Sequence, residues 1–251
     1  MKKQFLSFAL VAIVYNLASA QSFVPKYGPE GSPKAILLKK ERTFVQTKPA
    51  PDFWALIPYY EGMKSAHSAS AVSVAMVLNG LKQNTKYSAA NELVTEKDLL
   101  KKVSPTTWSV KLEGDKPVGV NLVELGALLQ ASLKTYNVPK AKVKVINVID
   151  QSADTLAKVR KLLIENELSD TNFLIANYLQ SAFTNDPEGA VGTYSVVAAF
   201  DEAADRVLIL ETDRKYYEPY WVSIHTFMDG LSGIKNAKGA STGGLVWVTN
   251  G

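Results

Sequence analysis

A chain of 251 residues, 47% of them apolar and 21% charged, has the length and composition of one globular domain, which excludes the disordered and fibrous classes. Its 28 Lys and Arg against 24 Asp and Glu leave a formal charge of +4, too weak a bias to mark a nucleic-acid or membrane-surface binder. There is no cysteine, so disulfides, thiolate metal sites, lipoprotein acylation and a thiol nucleophile are all excluded.

Residues 1–20 open with Lys2 and Lys3, run apolar from Phe5 to Ala18 with breaks at Ser7 and Asn16, and end in Ala18-Ser19-Ala20. A basic start, a short apolar stretch and a small-residue site predict a secretory signal cleaved before Gln21. An uncleaved anchor is the competing reading, but the run is shorter than the roughly 20 apolar residues that span a bilayer. The expectation is a periplasmic or secreted protein with no stable membrane anchor. Cleavage removes two lysines and no acid, lowering the formal charge from +4 to +2.

Residues 21–51 hold five of the eleven prolines, with Lys34, Lys39 and Lys40 and little periodicity. They predict an extended lead-in lying over a domain at 52–251. Ala69 to Leu81 is apolar on nearly all sides, follows serines that can cap a helix, and meets Asn79-Gly80 at its end, which predicts a buried helix. Asn121 to Thr135 and Ser152 to Glu167 read as amphipathic helices, each opened by a capping-type residue. Phe173 to Tyr178, Tyr194 to Phe200, Arg206 to Glu211 and Leu245 to Thr249 are β-branched or aromatic runs, the middle two joined by a hairpin-length link at 201–205. Helices first and antiparallel strands late make an α+β order.

Particular residues then carry a resemblance. Asp52-Phe53-Trp54-Ala55-Leu56 is followed by Ser73-Val74-Ala75-Met76-Val77-Leu78-Asn79; later come Asn177-Tyr178-Leu179, Gly192-Thr193-Tyr194-Ser195, Asp205-Arg206-Val207-Leu208-Ile209-Leu210-Glu211 and Tyr217-Glu218-Pro219-Tyr220-Trp221-Val222. With Glu30-Gly31 near the start and Gly244-Leu245-Val246-Trp247-Val248 at the end, this series resembles the phytochelatin synthases, in the same order. The stretch from about Tyr87 to Leu168 matches only loosely. The resemblance implies a papain-like fold with a buried central helix packed on a late antiparallel sheet. It also implies glutathione chemistry, in which a cysteine attacks the peptide bond before glycine and passes the γ-glutamylcysteinyl group to glutathione or water.

Thiol acyl transfer needs a thiolate at a helix N-terminus, an imidazole and a carboxylate that orients it. Carried across by the flanking motifs, these three positions are Ala69, Thr193 and Glu211, which supply neither nucleophile nor imidazole. The family's oxyanion amide falls on Met63, and its substrate-holding aspartate and arginine fall on Asn236 and Gly243, with Lys235 and Lys238 nearby. A catalytically inactive family member is therefore expected, whose cleft is available to a peptide, a glutathione-like ligand or a protein partner. Two other readings stay open: a hydrolase of changed mechanism using Ser68 or Ser70 beside His67, and a purely structural or interaction domain. His225 falls on the polar side of a predicted helix whose apolar face is Ile224, Phe227, Met228 and Leu231. Two histidines without cysteine make no recognisable metal spacing, so no metal and no cofactor are expected. Tyr216, Tyr217, Tyr220 and Trp221 read as core packing beside a strand end or, alternatively, as the lining of a ligand groove.

Overall fold

The computed structural model describes residues 34–82, 92–138, 140–186, 189 and 191–250. The expected signal at residues 1–20 and the first part of the lead-in, 21–33, lie outside the described residues. In chain order the strands are β1 (Ala35–Leu37), β2 (Ala141–Asn147), β3 (Asn172–Leu179), β4 (Gly192–Asp201), β5 (Arg206–Leu210), β6 (Tyr220–Ser223) and β7 (Gly244–Asn250). The helices are α1 (Thr43–Thr47), α2 (Pro51–Leu56), α3 (Ala69–Leu81), α4 (Glu96–Lys102), α5 (Pro105–Glu113), α6 (Leu122–Thr135), α7 (Ala153–Asn166), α8 (Gln180–Thr184) and α9 (Ile224–Gly233).

The seven strands form one antiparallel sheet in the order β1-β6-β5-β4-β3-β7-β2. Side chains alternate across a strand, and here both faces are apolar. Phe173 and Ile175 of β3, Leu208 and Leu210 of β5, and Val246 and Val248 of β7 enter one core with α2 to α6. Leu174 and Ala176, Val207 and Ile209, and Leu245 enter a second core with α7 and α9. A bulge between Val197 and Ala199 sets Ala198 and Ala199 both on the first core and turns Phe200 to the second. The fold is α+β, with helices on both faces of the sheet.

All thirteen residues of α3 are buried, and the helix lies against β4. Burying each Val, Leu or Met is worth about 1.5–3 kcal/mol, so tertiary burial and not helical propensity decides this element. The helix ends at Leu81 as expected, with Asn79 and Gly80 inside its last turn and not beyond it. Asn79 clamps the following segment, its amide donating to the Val94 carbonyl at 2.8 Å and its oxygen accepting from the Val94 N–H at 2.9 Å. Gly80 lets the ring of Phe173 approach, since a Cβ there would lie 3.0 Å from it. The serine before the helix is no cap: the Ser68 hydroxyl bonds back to Ser65 at 3.1 Å.

The other two expected helices begin with working caps. Asn121 and Glu124 form a reciprocal capping box at α6, and the Ser152 hydroxyl accepts from the Thr155 N–H at α7. The described part of the lead-in is more than an extended cover, because β1 pairs with β6 and α1 adds a helical turn. Strands β2 and β6 were not expected. β2 alternates Lys142 and Lys144 with Val143 and Val145, the valines lying against Gly126 of α6, where a Cβ would come within 2.5 Å of Val145.

Candidate functional site

Glu211 follows directly on β5 and is fully buried. Its carboxylate faces neutral donors and no cation among the described residues. Oε2 accepts from the Tyr178 hydroxyl at 2.6 Å and the Tyr220 hydroxyl at 2.8 Å; Oε1 accepts from the Asp213 N–H at 3.1 Å and the Ser195 hydroxyl at 3.4 Å. Burial, and then the Glu211 charge, hold both phenols well above the ordinary tyrosine range, so they keep their protons and remain donors. Phe183 stacks on the Tyr178 ring, centroids 4.2 Å apart, and fixes it in place. Four donors satisfy this carboxylate.

Thr193 is the second residue of β4, opposite Tyr178 in the ladder. Its carbonyl accepts from the Asn177 amide at 3.1 Å. Met63 meets the same region through its N–H, which donates to the Thr212 carbonyl at 2.8 Å, while the Tyr60 hydroxyl donates to the Glu211 carbonyl at 2.6 Å. Thr193 and Met63 both line a pocket of about 180 Å³, together with Ala66, Gln180, Asp213 and Tyr217. Tyr217 is pinned by its hydroxyl, which donates to Asp186 at 2.7 Å. Tyr216 and Tyr217 thus border the pocket, whereas Tyr220 and Trp221 are buried in the two cores.

Ala69 opens α3 and faces the first core. Around it the hydroxyls are enclosed: Ser68 and Ser70 are both fully buried, Ser68 is engaged by Ser65 and by Glu96, and the Ser70 hydroxyl has no hydrogen-bond partner among the described residues. His67 is exposed and bonds to neither. Glu96 is buried beside this turn, accepting from the Lys64 N–H at 3.1 Å; burial raises its pKa against the opposing pull of Ser68 and Lys64. No imidazole reaches a hydroxyl here, so the nucleophile-to-base geometry of acyl transfer is missing.

The model of the phytochelatin synthase family matches residues 38–243. The chain belongs to that family. It is also similar to glutathione gamma-glutamylcysteinyltransferase 2 of Arabidopsis thaliana, 23% identical over 193 residues that cover 76% of this chain and 38% of that protein. The chain thus spans well under half the length of this curated relative.

The two remaining positions expected from the resemblance, Asn236 and Gly243, lie apart from the pocket. Asn236 is exposed and builds its own loop: its side-chain oxygen accepts from the N–H groups of Lys238 at 2.9 Å and Ala240 at 3.1 Å. Gly243 lies in a backbone crossing, where a Cβ would approach the carbonyl oxygen of Leu231 to 2.2 Å and that of Asn177 to 2.9 Å. An arginine cannot stand there on this backbone. Neither residue lines the pocket shared by Met63 and Thr193. His225 is exposed on α9, whose buried face includes Ile224, Phe227, Met228 and Leu231. No group of three or more His, Cys, Asp or Glu suited to a metal ion occurs among the described residues.

Sequence reasoning missed Tyr178, Ser195 and Tyr220 as the partners of Glu211. Each sits within a quoted motif, but strand positions 178, 195 and 220 become neighbours only when β3, β4 and β6 align. Gln180, Asp213 and Ala66 were missed for the same reason, being distant in sequence and joined only at the pocket.

Proposed function

We propose that this phytochelatin synthase family member is an exported protein that has kept a papain-like scaffold and lost the glutathione transferase reaction. The observation that carries the reading is the fate of the third triad position. Glu211 has no imidazole to orient; two phenols, a serine hydroxyl and a backbone N–H occupy its carboxylate, turning a catalytic position into a buried structural hub. Ala69 at the start of α3 and Thr193 on β4 complete the loss. What remains is the pocket of about 180 Å³ between Met63 and Thr193, smaller than one that encloses a whole ligand of this size, so a peptide-like or glutathione-like ligand would enter with one end only, against polar side chains such as Gln180 and Asp213.

The reading is tested on the protein from Gln21 onward by following glycine release from glutathione, with and without cadmium or zinc, beside the Ala69→Cys variant. The expected outcome is no turnover in either, since the variant still lacks imidazole and oxyanion donor. Turnover by the unmodified protein overturns the reading, and its loss on Ser68→Ala or Ser70→Ala would identify a changed mechanism. Calorimetric titration with glutathione tests the ligand: binding weakened by Thr193→Tyr supports the pocket, and absence of binding leaves a structural or protein-interaction role.

A further inference from the structure

A second concavity, of about 460 Å³, lies between α7 and the β2 edge of the sheet and shares no lining residue with the pocket at Thr193. On α7, Thr155, Lys158, Val159 and Leu162 fall at the spacing that puts side chains on one helical face. On β2, Lys144 and Ile146 alternate onto the same side, and Trp247 of β7 stands opposite Lys144 in the ladder. The indole is fixed, its N–H donating to the Asn166 side-chain oxygen at 2.9 Å. The floor is therefore preformed and apolar.

Its rim is cationic. Lys144, Lys158 and Lys161 are exposed, and none has an ion-pair partner among the described residues. Arg160, between two of them, is by contrast committed to Asp205 at 2.6 Å. Of the charged residues that line the groove only Glu165 is acidic; Asp154 stands one turn before Lys158 outside the lining, and Asp150 acts on Lys158 while its own oxygen already accepts from Ser152 at 2.7 Å and Thr155 at 2.6 Å. A pocket of this size, mostly apolar with a few convergent charges, has the form of a small-ligand site. A neutral ligand would leave the lysines unused, and a fully polar anion would leave the floor wet.

We propose that this groove binds amphipathic organic anions, with the apolar body on Ile146, Val159, Leu162 and Trp247 and the carboxylate or sulfonate among Lys144, Lys158 and Lys161. The probe is 8-anilinonaphthalene-1-sulfonate, followed by its fluorescence on the folded full chain and displaced with decanoate. The expected result is saturable one-to-one binding that decanoate reverses, that weakens at high salt, and that loses about tenfold or more in affinity in the Lys158→Glu/Lys161→Glu variant. Both lysines are on the surface, and an unchanged thermal midpoint shows that the variant is folded; Lys158→Ala/Lys161→Ala gives the same reading without charge reversal.

Absence of saturable binding overturns the proposal. So does binding that the lysine variants leave unchanged, or equally tight binding of the uncharged N-phenyl-1-naphthylamine. Sedimentation supplies a further arm: a dimer that the lysine reversals dissociate would mean that a second copy covers the groove, which also overturns it.

Discussion

A buried carboxylate with no cation beside it among the described residues depends on each of its donors, and Glu211 depends on Tyr178 and Tyr220 most. Removing one phenolic hydroxyl leaves part of a charge unsatisfied, so Tyr178→Phe or Tyr220→Phe should cost about 1–3 kcal/mol of unfolding free energy in urea titrations. The double variant should not be additive, because both donors serve one oxygen. Glu167 behaves differently. Burial pushes its carboxyl from 4.5 up to about 7, partly opposed by the Phe200 N–H at 2.9 Å, and one of its oxygens has no partner among the described residues. Asp52, buried nearby and bonded to Asn166, is raised for the same reason and by the charges of Glu167 and Asp170. The folded state therefore holds the Glu167 proton more tightly than the unfolded state does. Its contribution is fully present below the unfolded value of 4.5 and is lost as pH rises towards about 7, on the order of 3 kcal/mol. Urea midpoints measured across this window should fall in the parent, and the fall should flatten in Glu167→Gln.

At the scale of elements, close approaches set what each helix and strand tolerates. Gly230 of α9 faces Phe183 of α8, and a Cβ there would come within 2.2 Å of the ring. Gly230→Ala should cost about 1–3 kcal/mol through overpacking, and because Phe183 stacks on Tyr178 it should also perturb the Glu211 cluster, visible as a change in tyrosine near-ultraviolet dichroism. Gly243 is stricter, since its obstacles are backbone carbonyls and cannot move aside. Gly243→Arg should destabilise by about 3 kcal/mol or more, or prevent folding, as read by thermal melts. At the start of α6, Asn121→Ala removes a capping box and should cost about 1 kcal/mol.

For the molecule as a whole, one sheet serves two cores. Neighbouring residues of β3, β5 and β7 point alternately into the α3 side and the α7 and α9 side, so neither core can open without exposing the other's strands. Equilibrium unfolding should therefore be a single transition, with tryptophan fluorescence and far-ultraviolet dichroism coinciding in urea. Trp108 and Trp221 lie in the first core and Trp247 packs against the second, so a variant that keeps only Trp221 of the four tryptophans and one that keeps only Trp247, the others changed to Phe, should give the same midpoint. Two separated midpoints would show that the cores unfold independently.

Periodicity made most of the architecture legible. A run apolar on all sides could only be a buried helix, and β3, β4, β5 and β7 were legible because strands buried on both faces leave continuous apolar runs. β2 escaped because, as an edge strand with lysines on one side, it alternates over a stretch that the family motifs match only loosely. β6 escaped because its four residues, half of them aromatic, read as core packing beside a strand end, with groove lining as the alternative, and not as a strand themselves. The absence of cysteine and the motif positions Ala69, Thr193 and Glu211 were plain in the sequence, since chemistry requires particular atoms. What those positions do instead was not, because hydrogen bonds from β3, β4 and β6 to Glu211 exist only once strand register sets residues 33, 16 and 9 positions away against one carboxylate. The same holds for Gly243, whose need for glycine comes from two carbonyls brought in by distant segments, and for the lysine-rimmed groove, which α7 and β2 form only by meeting across the sheet edge. Local pattern determines which residues are buried; tertiary contact alone decides which of them face each other.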